Sequence, residues 1–224
     1  MDAFLRQFFN GEVITRYLPD ILAGAWVTIL CSVAILAAGL AGGVALACLR
    51  TYRLRPVSVL IVIFADLFRA LPPLVLIVLA FFGLPNVGVS LSAFMVLFLI
   101  LSLVLAAFTE EIVWAGIAAV PKGQWEAARS TGLGFTRTLV WVILPQSVRM
   151  VIPPLTNRAI AITKMTALGS VIGVSDILNE ASSAQSFSGN ASPLTLAAFA
   201  YVMLFLPFVI LSRLLERRFS RAGS

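Results

Sequence analysis

Apolar residues run in five long stretches divided by short polar segments: Ile21 to Leu49, Pro56 to Phe82, Leu91 to Val120, Ile143 to Leu168 and Leu194 to Leu215. About 20 mainly apolar residues suffice for a helix to cross a bilayer. In hydrocarbon each backbone N–H and C=O must be bonded within its own segment. The pattern therefore predicts an all-α membrane protein of about five transmembrane helices, one domain over residues 1–224. The connections "GLPNVGVS" and "NEASSAQSFSGNASP" carry Gly, Pro, Asn and Ser and read as loops. Upstream, "DAFLRQFF" brings Leu5, Phe8 and Phe9 near one face at helical spacing. That suits a short helix lying in the membrane interface, and a simple tail is the other reading. The first apolar run follows acids and bases and is too long for a signal-peptide core, so it is expected to remain in the protein.

Composition agrees with the pattern. Of 224 residues 60% are apolar and 12% charged, with mean hydropathy +1.03. Such a chain could not cover a soluble domain with polar surface, and membrane lipid is its expected solvent. Its basic residues then set orientation. Arg50, Arg53 and Arg55 follow the first stretch, Lys122, Arg129 and Arg137 the third, and Arg213, Arg217, Arg218 and Arg221 the last. The opposite loops carry no base, which predicts the N-terminus outside and the C-terminus inside. These bases cluster at membrane borders without interleaved aromatics, so no nucleic acid partner is expected despite a net charge of +6. There is no histidine, and Cys31 and Cys48 stand about 25 Å apart on one helix at 1.5 Å per residue. They read as packing residues, with no metal and no cofactor expected.

The segment 121–146, "PKGQWEAARSTGLGFTRTLVWVILPQ", interrupts the apolar pattern with polar and basic residues. Within it "KGQWEAARSTG" predicts a helix of about three turns, with proline before it and Gly132 as the stop. The orientation above puts this helix in the cytoplasm. Trp125 and Ala128 form an apolar knob beside Glu126 and Arg129. The helix then either enters a groove on a partner protein or lies on lipid.

At this point the sequence resembles the membrane permease subunits of type I ATP-binding-cassette importers. Their cytoplasmic loop reads E-A-A-x-x-x-G and, ten residues on, I-x-L-P. Glu126, Ala127, Ala128, Gly132, Leu144 and Pro145 match, and Val142 replaces the isoleucine. The stretches "FRALPPLVLI", "AAFTEEIVWAGIAAVPKGQWEAARSTGLG" and "ITKMTALGSVIGVSDIL" are similar to segments of the polar amino acid uptake branch. The resemblance covers Phe68 to Leu178. It departs from the pattern at Trp114 and Ala115, where the branch often has arginine and glycine, and at Glu110, a second acid beside the matching Glu111. It implies a carrier of polar amino acids across the bacterial inner (cytoplasmic) membrane, and no enzyme. Trp125, Glu126, Ala127, Ala128 and Gly132 would form the coupling helix that docks on the ATPase. The implied partners are a dimer of cytoplasmic ATP-binding subunits, a second permease, identical or related, and an extracytoplasmic amino acid-binding protein.

Energy must come from outside the chain in that case. Gly83 and Gly88 have the spacing of a phosphate-binding loop, but Val89 stands where the loop needs lysine. The alternative function is a gradient-driven small transporter or channel whose intramembrane acids are ion sites. Asp66, Arg69, Glu110, Glu111 and Lys164 fall within the predicted spans, where an unpaired charge costs at least about 2.5 kcal/mol. Each needs a partner or a wet cavity. One reading pairs them: Asp66 with Arg69 at i,i+3, and a glutamate with Lys164. The other has Arg69, Glu110, Glu111 and Lys164 line the substrate pathway, with Arg69 meeting a carboxylate and Glu111 an ammonium. Finally, Pro72 and Pro73 remove N–H donors and push Leu71 out of helical geometry, giving a kink or a hinge. Gly39 and Gly43, in G-x-x-x-G spacing, predict close helix packing.

Overall fold

The computed structural model describes residues 2–220, with side chains as far as Leu214. Arg221 lies outside the described residues, as do the side chains of Arg217 and Arg218. Among the described residues every regular element is helical: α1 (Asp2–Phe8), α2 (Gly11–Thr51), α3 (Arg55–Ala70), α4 (Pro73–Gly83), α5 (Ala93–Ala119), α6 (Lys122–Ser130), α7 (Phe135–Thr138), α8 (Leu144–Lys164), α9 (Ile177–Ser188) and α10 (Ser192–Ser220). Short 3₁₀ runs follow α4 and α8, and a π turn, Leu139–Ile143, joins α7 to α8.

Four helical runs are long and apolar enough to cross a membrane: Asp2–Thr51, Ala93–Ala119, Phe135–Ile172 and Ser192–Leu214. A fifth is counted if the bent pair Arg55–Ala70 and Pro73–Val87 makes one span. The chain is thus a multi-pass membrane protein with four to five spans.

The second span breaks where the two prolines predict. Leu71 is extended at φ −89°, ψ 138°, and Pro72 at φ −60°, ψ 129°, so α3 stops and α4 restarts with Pro73 in its first turn. Proline suits that first turn because its missing N–H would have no intrahelical partner there. The first helix, in contrast, starts well before its apolar run. It begins at Gly11, where the Asn10 side chain accepts from the Glu12 N–H at 3.1 Å and the Val13 N–H at 3.3 Å. That local cap starts the helix ahead of its apolar run, through polar residues that hydropathy does not mark.

Two compact units divide the contacts of the chain. One comprises the residues up to Leu36, Pro72–Leu101 and Ile160–Ile210. A core of Ile21, Ile177, Ala181 and Ala197 lies in it. Here α1 is a helix rather than a bare tail, with Phe4 and Phe8 stacked at 4.7 Å. The Asn190 side chain donates to the Arg6 carbonyl at 2.9 Å and ties α1 down, while Leu5, Phe8 and Phe9 stay exposed. Asp176 caps α9, its Oδ1 accepting from the Asn179 N–H at 2.8 Å. The residue is 1% exposed, and Oδ2 has no partner.

The second unit comprises Ala37–Leu71, Ser102–Ala159 and the chain from Leu211. Its core gathers Ala47, Val113, Ile117, Val120, Leu139, Ile143 and Val151. The paired glycines of α2 face α5 as their spacing predicts: a Cβ on Gly39 would come within 2.7 Å of Leu105, and one on Gly43 within 2.6 Å of the Ala106 carbonyl oxygen. Helices without a hydrophobic force between them associate by such close approach. Cys31 is buried and Cys48 half-buried, both unbridged.

Two predictions follow from these contacts. Gly43→Leu must push α5 away, and overpacking of that kind costs about 1 to 3 kcal/mol. The variant should lose thermal stability in detergent while Gly42→Leu, whose Cβ would sit 3.7 Å from Ala106, loses much less. Equal losses would show that this contact is not close-packed. Burial pushes the Asp176 carboxyl up to about 6, against the backbone hydrogen bonds it accepts; Glu180 adds to the rise, and Cys31 and Tyr201 are its other titratable neighbours. A carboxyl raised by folding contributes stability that is full below the unfolded value near 3.8 and lost as pH rises through about 6. Asp176→Asn, which keeps the cap, should therefore unfold at a higher temperature than wild type at pH 7.5. The gap, worth roughly 3 kcal/mol at most, should close by about pH 4. A gap independent of pH would refute this account.

Candidate functional site

Two groups of residues in the second unit contain most of the residues that the sequence singles out. The first is α6 itself. Pro121 precedes it at φ −54°, ψ 138°, and Gly132 ends it at φ +88°, its N–H donating to the Arg129 carbonyl at 3.0 Å. No atom lies within 4 Å of a Cβ placed on Gly132. Backbone handedness, and not crowding, selects glycine there.

The apolar knob, read from the sequence as meeting either a partner protein or lipid, packs against its own unit. Ala128 is buried, and Trp125 packs partly buried against the core of its own unit. Its ring stacks on Phe135 at 5.2 Å and 27°, and Phe135 meets Tyr52 at 5.0 Å. The reason is spacing: residues 125 and 128 share one helix face, and the apolar core is the nearest surface able to bury it. What remains exposed is polar and small, namely Lys122, Gln124, Glu126, Ala127 and Arg129. Beside the helix lies a cavity of about 360 Å³ bounded by Arg53, Trp114, Lys122, Trp125, Glu126 and Phe135.

The second group is a cluster of charges contributed by α2, α3 and α5. Arg50 Nη1 lies 3.0 Å from Glu110 Oε1 and 3.3 Å from Oε2, one nitrogen shared between both oxygens, and 3.6 Å from Glu111. Its guanidinium also sits 3.8 Å over the Trp114 ring. Arg69 Nη1 reaches Glu111 at 3.2 Å and Asp66 at 3.7 Å. Glu110 is fully buried and the Glu111 side chain 38% exposed, as the 100° step between adjacent helix positions requires. The cluster therefore has a closed end at Glu110 and an open end at Arg69, Glu111 and Asp66.

The pairing of Asp66 with Arg69 is the expected one. Lys164 belongs to the other unit, beside Ala167, Tyr201 and Phe205, and none of the ion pairs among the described residues includes it. Glu110 is held by Arg50, which sequence reasoning assigned only to the membrane border. Arg158 of α8 was also missed. It stands 3.6 Å over the Phe108 ring, while Arg69 stands 5.8 Å from the same ring. Its position inside the fourth apolar stretch was a usable signal, by the same rule that singled out Lys164. Among the described residues no group of His, Cys, Asp and Glu could hold a metal ion.

Comparison with known proteins extends this picture. Residues 18–221 match the family described as binding-protein-dependent transport system inner membrane component. The chain is 32% identical over 214 residues to the probable glutamine ABC transporter permease protein GlnM of Bacillus subtilis (strain 168), covering 95% of this chain and 99% of that one. It is 31% identical over 203 residues to the arginine transport system permease protein ArtQ of the same organism, covering 90% and 93%. Among solved structures it is similar to the crystal structure of an amino acid ABC transporter with histidines, at 30% identity and a TM-score of 0.82, covering 92% of this chain and 96% of that one. With nearly its whole length matched, the chain belongs to the family of inner membrane components of binding-protein-dependent transport systems.

Proposed function

We propose that this chain is the permease of an ATP-driven importer of amino acids in the bacterial inner membrane, acting as one permease domain over residues 1–224. The observation that carries the reading is α6, a polar helix of nine residues bearing Glu126-Ala127-Ala128 and stopped by Gly132, inside a family match that spans residues 18–221. The permeases named for glutamine and arginine bring the substrate class. The family is one of transport components and not enzymes, so ATP is hydrolysed by a separate subunit and substrate is delivered by a binding protein. A gradient-driven carrier would have no use for such a helix.

In this reading α6 is the coupling helix, and its residues divide the work. Trp125 and Ala128 anchor it to its own unit, Glu126 and Ala127 face the cleft of the ATPase, and Gly132 ends the helix so that the chain can turn back. An ATPase that moves this rigidly held helix moves the core behind it. Arg69, Glu110, Glu111 and Lys164 lie along the substrate pathway, with buried Glu110 as the fixed end of the cluster. The assembly pairs two permeases with an ATPase dimer. The break at Leu71 to Pro73 serves as a hinge. The N-terminus lies outside and the C-terminus inside.

Orientation is checked by labelling. With Cys31 and Cys48 replaced by alanine, cysteines at Asn86 and Ser186 should react from outside, and one at Gln124 only after permeabilisation. The reverse pattern would remove the coupling role with the orientation. The function itself is checked in vesicles containing the permease, its ATPase and its binding protein, by uptake of labelled amino acids. Wild type should accumulate at least one amino acid in an ATP-dependent way. Gly132→Val forces a branched side chain to φ +88°, which costs about 1 to 2 kcal/mol. It should reduce uptake roughly tenfold while insertion persists, and Gly132→Asn, better suited to that backbone, should fall less. Full uptake by the valine variant would mean that this helix end does not bear on coupling.

A further inference from the structure

Three carboxylates and three arginines gather in the second unit, yet they do not pair one to one. Asp66, Glu110 and Glu111 are all taken by Arg50 or Arg69, at 3.0 to 3.7 Å. Arg158 has no share in them. Among the described residues it joins none of the ion pairs, and the face of Phe108 at 3.6 Å is its contact. It is half-buried and lies within a stretch apolar enough to cross the membrane.

A guanidinium so placed keeps its charge, because arginine does not deprotonate in proteins. Holding it in a membrane span without a counter-charge is costly. The ring face satisfies one side of the plane, a contact that leaves the N–H groups at its edge free. Those donors form a planar fork whose geometry matches a carboxylate. The same ring has Arg69 at 5.8 Å, so an anion meeting Arg158 also enters the field of a second cation at the open end of the cluster.

We propose that Arg158 is the anion-binding residue of the substrate site and takes a carboxylate of the transported amino acid in a two-point contact, with Phe108 holding its plane. The inference rests on the amino acid reading above and makes it more specific. It also moves the role expected of Arg69 from the sequence, since Arg69 already shares Glu111 with Arg50. Two carboxylates offer this chemistry: the α-carboxylate of any amino acid and the side-chain carboxylate of an acidic one.

Uptake by the wild-type complex from a panel of L-glutamine, L-glutamate and L-arginine first identifies a transported amino acid. Its affinity, and that of its α-amide, are then measured on the permease and ATPase complex without binding protein. Arg158→Gln should weaken binding of the amino acid about 10- to 100-fold, the worth of one or two charge-assisted hydrogen bonds. Assembly with the ATPase should be kept. If the α-amide binds wild type and variant alike, the α-carboxylate is the group recognised; if the α-amide of glutamate loses as much as glutamate, its side-chain carboxylate is, and an equal loss by the α-amide of glutamine or arginine, which have no such group, overturns the proposal. Unchanged affinity for the amino acid overturns the proposal. Should Arg158→Gln fail to assemble, Arg158→Lys carries the test, because it keeps the cation and loses the fork. A loss of about tenfold then supports the proposal, and wild-type affinity overturns it. A wild-type complex that takes up no member of the panel is a different result, since it counts against the amino acid reading itself.

Discussion

The constraint on which the second unit depends is the carboxylate of Glu110, buried completely in α5 and answered by Arg50 alone at hydrogen-bonding distance. A lone charge in that place would cost several kcal/mol, and removal of one partner leaves the other charge uncompensated. Arg50 is therefore fixed, and fixing it places the end of α2. The two glycines earlier in α2 allow the approach that brings the arginine within reach. Close packing and charge matching thus require the same helix register, a consistency expected of a sequence that specifies one structure.

The end of α2 that carries Arg50 also meets the residues that hold α6. The guanidinium lies over Trp114, and two residues on, Tyr52 meets Phe135, which stacks on Trp125. Aromatic contacts of this kind are worth about 0.5 to 1.5 kcal/mol each beyond the area they bury. The Tyr52 hydroxyl adds a hydrogen bond with Thr136 at 3.0 Å. A helix of nine residues would be marginal by itself. Held by its own tryptophan and by buried Ala128, it can carry force without fraying. The face left exposed is polar, and the tryptophan serves to hold the helix to its own unit.

Much of this fold was legible because hydrophobic length and proline chemistry are local. The breaks at Pro72 and Pro73, the stop at Gly132 and the close approach at Gly39 and Gly43 each follow from a few adjacent residues. The start of α2 did not, since a cap at Asn10 outweighs hydropathy over the next ten positions. The direction of Trp125 was missed because a tryptophan among charges looks exposed until the core beside it is known. Of the candidate site, the i,i+3 pair of Asp66 and Arg69 could be read from spacing. The partner of Glu110 could not, because Arg50 is 60 residues away in sequence and helix packing alone brings it near.

Arg69 stands at the junction of these features. Its side chain belongs to the open end of the charge cluster, while its backbone lies in the last turn of the helix before the break. Pro73 cannot donate the bond that would reach the Arg69 carbonyl four residues earlier, nor Pro72 the one for Phe68. Leu71 still bonds the Leu67 carbonyl at 3.3 Å, and beyond the break the Pro72 carbonyl accepts from Val75 at 3.0 Å. The helical ladder thus lapses for the carbonyls of Phe68, Arg69, Ala70 and Leu71 and resumes at Pro72. A backbone with so few bonds to break turns at low cost, and any turn there displaces the guanidinium shared with Glu111. Were a substrate anion to bind beside Phe108 as proposed, it would act on the same arginine as the break, and occupancy of that site could bias the conformation of the segment that carries it.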